Sequence, residues 1–305
     1  MRLLTLALII SCVIISCQST DQQKKNQMEM TKLDIQGHRG ARGLMPENSI
    51  PAFKKALDFR VSTLELDVCV TGDGQLVVSH EPWMSPEICM MTDGSHIPET
   101  KNRAINMFQM TYEEIKSYDC GSKHNARFPE QQKMTIHKPI LVDMIKEVEA
   151  YGNQIGYRNF NYNIEIKSLP EGDNIYHPIP SVFSELVFNT LDSLIGWNRV
   201  TIQSFDFRVL QYLHESHPEI RLAALVENTR PWAENIESLG FTPSIYSPYH
   251  KLLDKQNVSE MHEKGMAIIP WTVNNLDEMK VLIAFGVDGI ITDYPNIAAD
   301  LTTEE

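Results

Sequence analysis

Two short segments carry residue types suited to work on a charged ester, Gly37-His38-Arg39-Gly40 and Glu65-Leu66-Asp67, each closing an apolar, strand-like run. Together they supply an imidazole, a guanidinium and two carboxylates. A guanidinium matches phosphate oxygens in a bidentate fork, carboxylate oxygens suit a hard cation, and an imidazole titrates close enough to neutrality to move a proton. The chemistry implied is metal-assisted hydrolysis of a phosphodiester. A third segment, Asn163-Ile164-Glu165-Ile166-Lys167, repeats the spacing with Glu165 and Lys167. Residues two apart on a strand point to one face. Glu65 and Asp67 therefore share a face, as do Glu165 and Lys167. Three carboxylates gathered in an interior repel one another and resist ionising unless a cation neutralises them. The donors are hard oxygens, and no cysteine or histidine cluster has zinc spacing, so the expected occupant is one divalent cation, Ca²⁺ or Mg²⁺. The blander alternative is an internal ion-pair network of Glu65, Asp67 and Glu165 with Arg39 and Lys167.

A second histidine, His80, ends the run Val77-Val78-Ser79-His80. Two imidazoles at strand exits beside an acidic cluster suit acid/base work. His96, His124, His137 and His177 have no such placement and read as surface or insertion residues. Phe205 and Trp271 also fall at strand ends, where they suit either an apolar wall for the alcohol part of a substrate or barrel packing.

The elements that must hold these residues alternate between β-rich runs and amphipathic helices, the pattern of a parallel sheet or barrel. Strand-like runs fall at 33–37, 63–68, 76–79, 162–166, 199–203, 222–226, 244–246, 267–271 and 289–292. The surplus over eight has a local explanation: Thr71-Gly72-Asp73-Gly74 is a tight-turn sequence that folds 76–79 back on the second strand. The expectation is a TIM (β/α)8 barrel over 33–301, with its active residues at the carboxyl ends of the strands. Asn275, Asp206 and Thr111 are placed as helix N-caps, with Gly286 and Gly121 closing the first and last of these helices. The stretch from about 82 to 138 exceeds an ordinary connection and reads as a small insertion after the second barrel strand and its hairpin, able to shape a pocket.

Ahead of the barrel, Arg2 precedes an apolar stretch too short to span a bilayer comfortably, which fits a signal-peptide core. The closing Ile14-Ile15-Ser16-Cys17 resembles a bacterial lipobox, so residues 1–17 are expected to direct export and Cys17 to carry the lipid that anchors the protein to a membrane of the cell envelope. An ordinary secretory signal is the alternative. Residues 18–32 have almost nothing to bury and read as a tether. A net charge of −13 argues against nucleic acid as a partner, since that requires clustered Lys and Arg. Cys69, Cys89 and Cys120 fall in the barrel region; a Cys89–Cys120 disulfide and buried thiols both remain open.

The ordered set Gly37-His38-Arg39-Gly40, Pro46-Glu47-Asn48-Ser49, Glu65-Leu66-Asp67, Val77-Val78-Ser79-His80, Glu165-Ile166-Lys167, Gln203-Ser204-Phe205, Trp271-Thr272-Val273-Asn274 and Asp288-Gly289-Ile290-Ile291-Thr292-Asp293 resembles the glycerophosphodiester phosphodiesterase family. The resemblance implies a TIM barrel, a divalent metal, and cleavage of small glycerophosphodiesters to glycerol 3-phosphate and an alcohol. It implies His38 and His80 as the acid/base pair, and Glu65, Asp67 and Glu165 as metal ligands. Arg39 and Lys167 would hold the phosphate, with Glu47 close by. Glu81 follows His80 where the family usually has Asp, and Ser49 stands where Thr is common; both keep the chemical type. Two rivals stand beside this expectation. One is phospholipase C- or D-type cleavage of intact lipids, which calls for an apolar rim in the insertion, whereas 112–132 is largely polar. The other is a non-catalytic phosphodiester-binding lipoprotein, which has no need of two proton-transfer groups. Head-group preference and oligomeric state are not specified by the sequence.

Overall fold

The computed structural model describes residues 33–299 and Leu301. The expected signal segment, lipidated Cys17 and tether lie outside the described residues. Eight parallel strands form the barrel in the spatial order β8-β7-β6-β5-β4-β2-β1-β9. They are β1 (Asp34–Gly37), β2 (Thr63–Val70), β4 (Asn161–Ile166), β5 (Val200–Ser204), β6 (Arg221–Val226), β7 (Ile245–Pro248), β8 (Ala267–Ile268) and β9 (Gly289–Thr292). The ninth strand, β3 (Leu76–Val78), pairs antiparallel with β2, as the turn sequence predicts. Gly74 supplies the positive φ that this turn needs.

β8 is shorter than the 267–271 expected, ending at Ile268. Pro270 has no N–H to give to a ladder. The barrel closes there through separate backbone bonds, with the Ile291 N–H donating to the Pro270 carbonyl and the Val273 N–H to that of Ile291.

Outward-facing strand residues pack under the helices in one continuous core that includes Leu64, Leu66, Val68, Ile164, Ile166 and Ile202. Helix boundaries follow local chemistry. The Asn275 side chain accepts from the N–H groups of Asp277 and Glu278, and Gly286 ends that helix in the left-handed conformation. Asp206 caps Phe207–Ser216. Thr111 and Glu114 form a reciprocal capping box, although the helix they open, Tyr112–Lys116, stops well short of Gly121. Among the described residues, no helix is long and apolar enough to cross a membrane.

Between β3 and the helix Leu141–Gln154, the chain forms a lobe with its own buried cluster, including Met84, Ile97, Met107 and Ile115. A Cys89–Cys120 disulfide ties the lobe together. Cys69 remains a buried thiol and donates to the Ser79 carbonyl.

Candidate active site

Strand register assembles the acidic cluster. Glu65 and Asp67 lie two apart on β2, and Asp67 stands opposite Glu165 on β4, which stands opposite Gln203 on β5. Neighbouring residues in a parallel register point the same way. Glu65, Asp67 and Glu165 accordingly offer oxygens that all lie within 4.8 Å of one another, and all three side chains are buried.

The loop leaving β1 wraps this cluster. Arg39 adopts a positive φ of 49° and Gly40 one of 85°. A side chain on Gly40 would run into the backbone of Ala52, so only glycine lets the loop lie on the helix Ile50–Asp58. In this conformation the Arg39 N–H donates to Glu65 Oε2 at 2.9 Å, and its Nη1 donates to Glu47 Oε1 at 2.8 Å. Arg39 Nε is 3.3 Å from Asp67 Oδ2 but is not aligned to hydrogen-bond with it, and is left as a buried donor without a hydrogen-bond partner. Asn48, at φ 54°, donates to Asp67 Oδ2 at 2.8 Å. Gln203 Nε2 donates to Glu65 Oε1 at 2.7 Å, and Lys167 Nζ to Glu165 Oε1 at 2.7 Å.

Both histidines are tethered at Nδ1. His38 Nδ1 is 2.7 Å from Asp293 Oδ1, and His80 Nδ1 is 2.8 Å from Glu81 Oε1. With anionic partners the ring N–H sits on Nδ1 in each, leaving Nε2 with its lone pair. Asp293 also accepts from Arg42 Nε and Nη2 and from Asn274 Nδ2. Phe205 and Trp271 meet edge to face at 5.4 Å, with Trp271 Nε1 donating to the Ser247 carbonyl.

Of the ten predicted site residues, His38, Arg39, Glu47, Glu65, His80, Glu165, Phe205 and Trp271 line one cavity of about 440 Å³. Asp67 lies beneath it, and Lys167 opens onto an adjoining cavity. His177 corrects the surface reading: it is buried, its Nε2 accepting from the Leu169 N–H while Nδ1 donates to the Pro178 carbonyl. Sequence reasoning missed Asp293, Asn48, Gln203, Arg42 and Glu81 as partners of the site. A signal for Asp293 existed, because it follows the last strand as His38 follows the first.

The charges separate the carboxylates. Burial and the neighbouring Asp67 carboxylate push Glu65 well above the ordinary range. Burial likewise lifts Glu165 to about 7 against the pull of Lys167. Burial would also raise Asp67, but Arg39, His80 and Lys167 outweigh it and hold the group ionised. Glu47 is drawn down to about 2 because Arg39 and Arg42 outweigh its burial. Burial brings both histidines down to about 4, aided at His38 by Arg42 and at His80 by Lys167 and Arg39. The ion pairs foreseen in the blander reading are present, yet they leave the cluster short of positive charge. Of the three buried carboxylates, Asp67 and Glu165 draw on Arg39 and Lys167, Arg39 also serves Glu47, and the Glu65 side chain accepts hydrogen bonds only from amides. Crowded buried carboxylates whose ionised forms are disfavoured are a donor set that fits a hard divalent ion.

Comparison with known proteins agrees with this geometry. The family model for the glycerophosphoryl diester phosphodiesterase family matches residues 38–297. A glycerophosphodiester phosphodiesterase of Bacillus altitudinis is 30% identical, the match covering 90% of this chain and 99% of the relative. Another, from Caldanaerobacter subterraneus subsp. tengcongensis, is 30% identical over 87% of this chain and 95% of its own. A crystal structure from Silicibacter pomeroyi matches with a TM-score of 0.78 at 28% identity, covering 88% of this chain and 94% of that one. An Oleispira antarctica phosphodiesterase in complex with the product sn-glycerol-3-phosphate matches at TM-score 0.69 and 21% identity, over 88% of this chain and 97% of that one.

Proposed function

The chain belongs to the glycerophosphoryl diester phosphodiesterase family, and from that premise we propose that it hydrolyses small glycerophosphodiesters to glycerol 3-phosphate and an alcohol, with His38 and His80 as the acid/base pair. The observation that carries the reading is the pair of carboxylate-anchored imidazoles bordering one cavity with the acidic cluster. Each ring is held in one tautomer with Nε2 presented for proton transfer.

Arg39, held in place through Nη1 by Glu47, is assigned to the phosphoryl oxygens, and Lys167 to the same group. Glu65, Asp67 and Glu165 would hold a divalent cation, Ca²⁺ or Mg²⁺, which when bound supplies positive charge against the phosphoryl oxygens. Both imidazoles start neutral. Burial depresses His80 most and the Lys167 and Arg39 charges add to it; an arriving phosphate offsets those charges, so that one ring can carry a proton to the leaving alcohol while the other takes one from the nucleophile. The nucleophile is water, or the glycerol 2-hydroxyl, which expels the alcohol and closes a cyclic phosphate that water then opens to glycerol 3-phosphate. We place the glycerol, rather than the alcohol part expected from the sequence, against the apolar wall of Phe205 and Trp271.

The test is glycerol 3-phosphate release from glycerophosphocholine, with chelator and with Ca²⁺ or Mg²⁺ restored. Release that depends on metal, and that falls by ~10²-fold or more in His38→Ala and His80→Ala, is expected. Near-normal turnover in either variant removes that histidine from the mechanism, and no release from folded protein with any metal refutes the activity. One observation favours a second reading, cleavage of lipids that keep an acyl chain. Four exposed large hydrophobic residues, Leu169, Ile175, Ile179 and Val182, fall on the segment that follows β4, rather than in the lobe where such a rim was sought. Phosphate-ester cleavage in phospholipid vesicles tests it; intact vesicles dismiss it. We also propose that Cys17 is lipidated after export, supported by the lipobox-like 14–17. Labelling with a palmitate analogue should vanish in Cys17→Ala, and labelling that persists overturns the assignment.

A further inference from the structure

A second cavity, of about 390 Å³, opens from the same centre and shares His80, Glu81, Trp83, Arg103, Glu165 and Phe205 with the first. The assignments above leave it without an occupant. It is walled by two aromatic rings from separate parts of the chain, Trp83 from the lobe and Tyr176 from the segment after β4, which meet at 5.3 Å and 64°. Asn106 of the lobe donates to the Ile175 carbonyl at 2.7 Å, so the lobe and the Tyr176 segment are joined beside these rings. Pro82 and Leu169 add apolar surface.

The charge around this apolar chamber is uneven. Glu171 and Glu227 line it, both are exposed, and neither takes part in an ion pair among the described residues. Of the cations in the lining, Lys167 is held by Glu165. Arg103 lies over the Trp83 ring at 4.8 Å, a guanidinium already seated on one aromatic face. Aromatic walls with carboxylates nearby attract a weakly hydrated cation by its charge and its methyl or methylene surface together. A neutral polyol gains from neither.

We propose that this cavity is the subsite for the alcohol half of the diester, and that it selects a cationic amino alcohol of the choline or ethanolamine type over an uncharged polyol. The inference rests on the phosphodiesterase reading and adds to it the residues that choose among substrates. Tyr176, Glu171 and Glu227 act on the departing group and touch none of the reacting atoms.

The experiment compares kcat/KM for glycerophosphocholine, glycerophosphoglycerol and glycerophosphoinositol in the wild-type protein, in Tyr176→Ala and in Glu171→Gln/Glu227→Gln. Wild-type protein should favour the choline diester about tenfold or more, and each variant should cut that preference about three- to tenfold through KM, on the usual strength of cation–aromatic contacts. Turnover of glycerophosphoglycerol should stay within about twofold. Equal use of the three diesters, or a preference that neither variant moves, overturns the proposal. Choline titration followed by calorimetry separates this failure from failure of the activity. If no diester is cleaved, choline binding that is lost in Tyr176→Ala still supports the subsite, and absence of binding ends it.

Discussion

Replacing Glu81 by Gln isolates one anchored imidazole with little risk to the fold, because the Glu81 and His80 side chains retain 33% and 29% exposure. Glu81 Oε1 accepts from His80 Nδ1 at 2.8 Å, and the carboxylate is itself held below its ordinary range: burial would raise it, but the bond to His80 outweighs that. In the resting site His80 is neutral, so an uncharged amide can replace the carboxylate as acceptor at small cost. Once the ring carries a proton, the amide lacks the charge that stabilised it. A hydrogen bond to a charged group contributes about 1.5–3 kcal/mol, and partial exposure argues for the lower end. At about 1.4 kcal/mol per tenfold, kcat should fall roughly 10- to 30-fold in Glu81→Gln, with KM within about twofold. Glu81→Asp, which keeps the carboxylate, should recover most of the loss. The assay is continuous detection of glycerol 3-phosphate, repeated in the His80→Ala background, where Glu81→Gln should have no further effect. A kcat unchanged by Glu81→Gln, or an equal loss with and without His80, would refute the reasoning.

Two further outcomes follow from groups away from the reacting atoms. Asp206 caps a helix and accepts from Ser168 and Arg208; burial would raise its pKa, but these bonds lower it. A depressed folded-state pKa contributes stability that is complete above the unfolded value near 3.9 and is lost as pH falls through the folded one. Asp206→Asn should therefore cost about 1 kcal/mol at pH 7, after discounting for the exposure of Arg208, and nothing at the acid end of a denaturation series; a constant difference at every pH contradicts this. The Cys89–Cys120 bond closes a sequence separation of 31 residues, which is worth about 3–4 kcal/mol in the chain-entropy account. Cys89→Ser/Cys120→Ser should speed amide exchange in the lobe far more than in the barrel strands, and uniform protection in both proteins dismisses that role.

The barrel is legible in the sequence because each strand announces itself locally, through apolar runs with the right spacing and turns such as Thr71–Gly74. The acidic cluster is legible for the same reason: Glu65 with Asp67, and Glu165 with Lys167, need only the two-residue period of a strand to share a face. Their supporting partners depend on which strands become neighbours and in what register, which no local pattern states. Gln203 reaches Glu65 only because β5 lies beside β4 in register, and Asn48 reaches Asp67 only because its loop adopts a left-handed turn. His177 carries no periodic signal, and its burial comes from a loop folded around its ring. The disulfide was equally beyond local reading, since the pairing follows from how the lobe folds.

The contact between His38 and Asp293 joins positions 255 residues apart, across the adjacent β1 and β9. Its consequence is one of timing. During synthesis the first strand emerges with its imidazole unanchored, and the carboxylate that orients that ring is among the last parts delivered. The carboxylates of β2 and β4 can meet long before. On the role proposed for His38, hydrolysis waits until β9 has joined β1, and products of premature termination or C-terminal clipping upstream of Asp293 should stay silent whatever else of the barrel they assemble. Activity would then report that synthesis has passed Asp293.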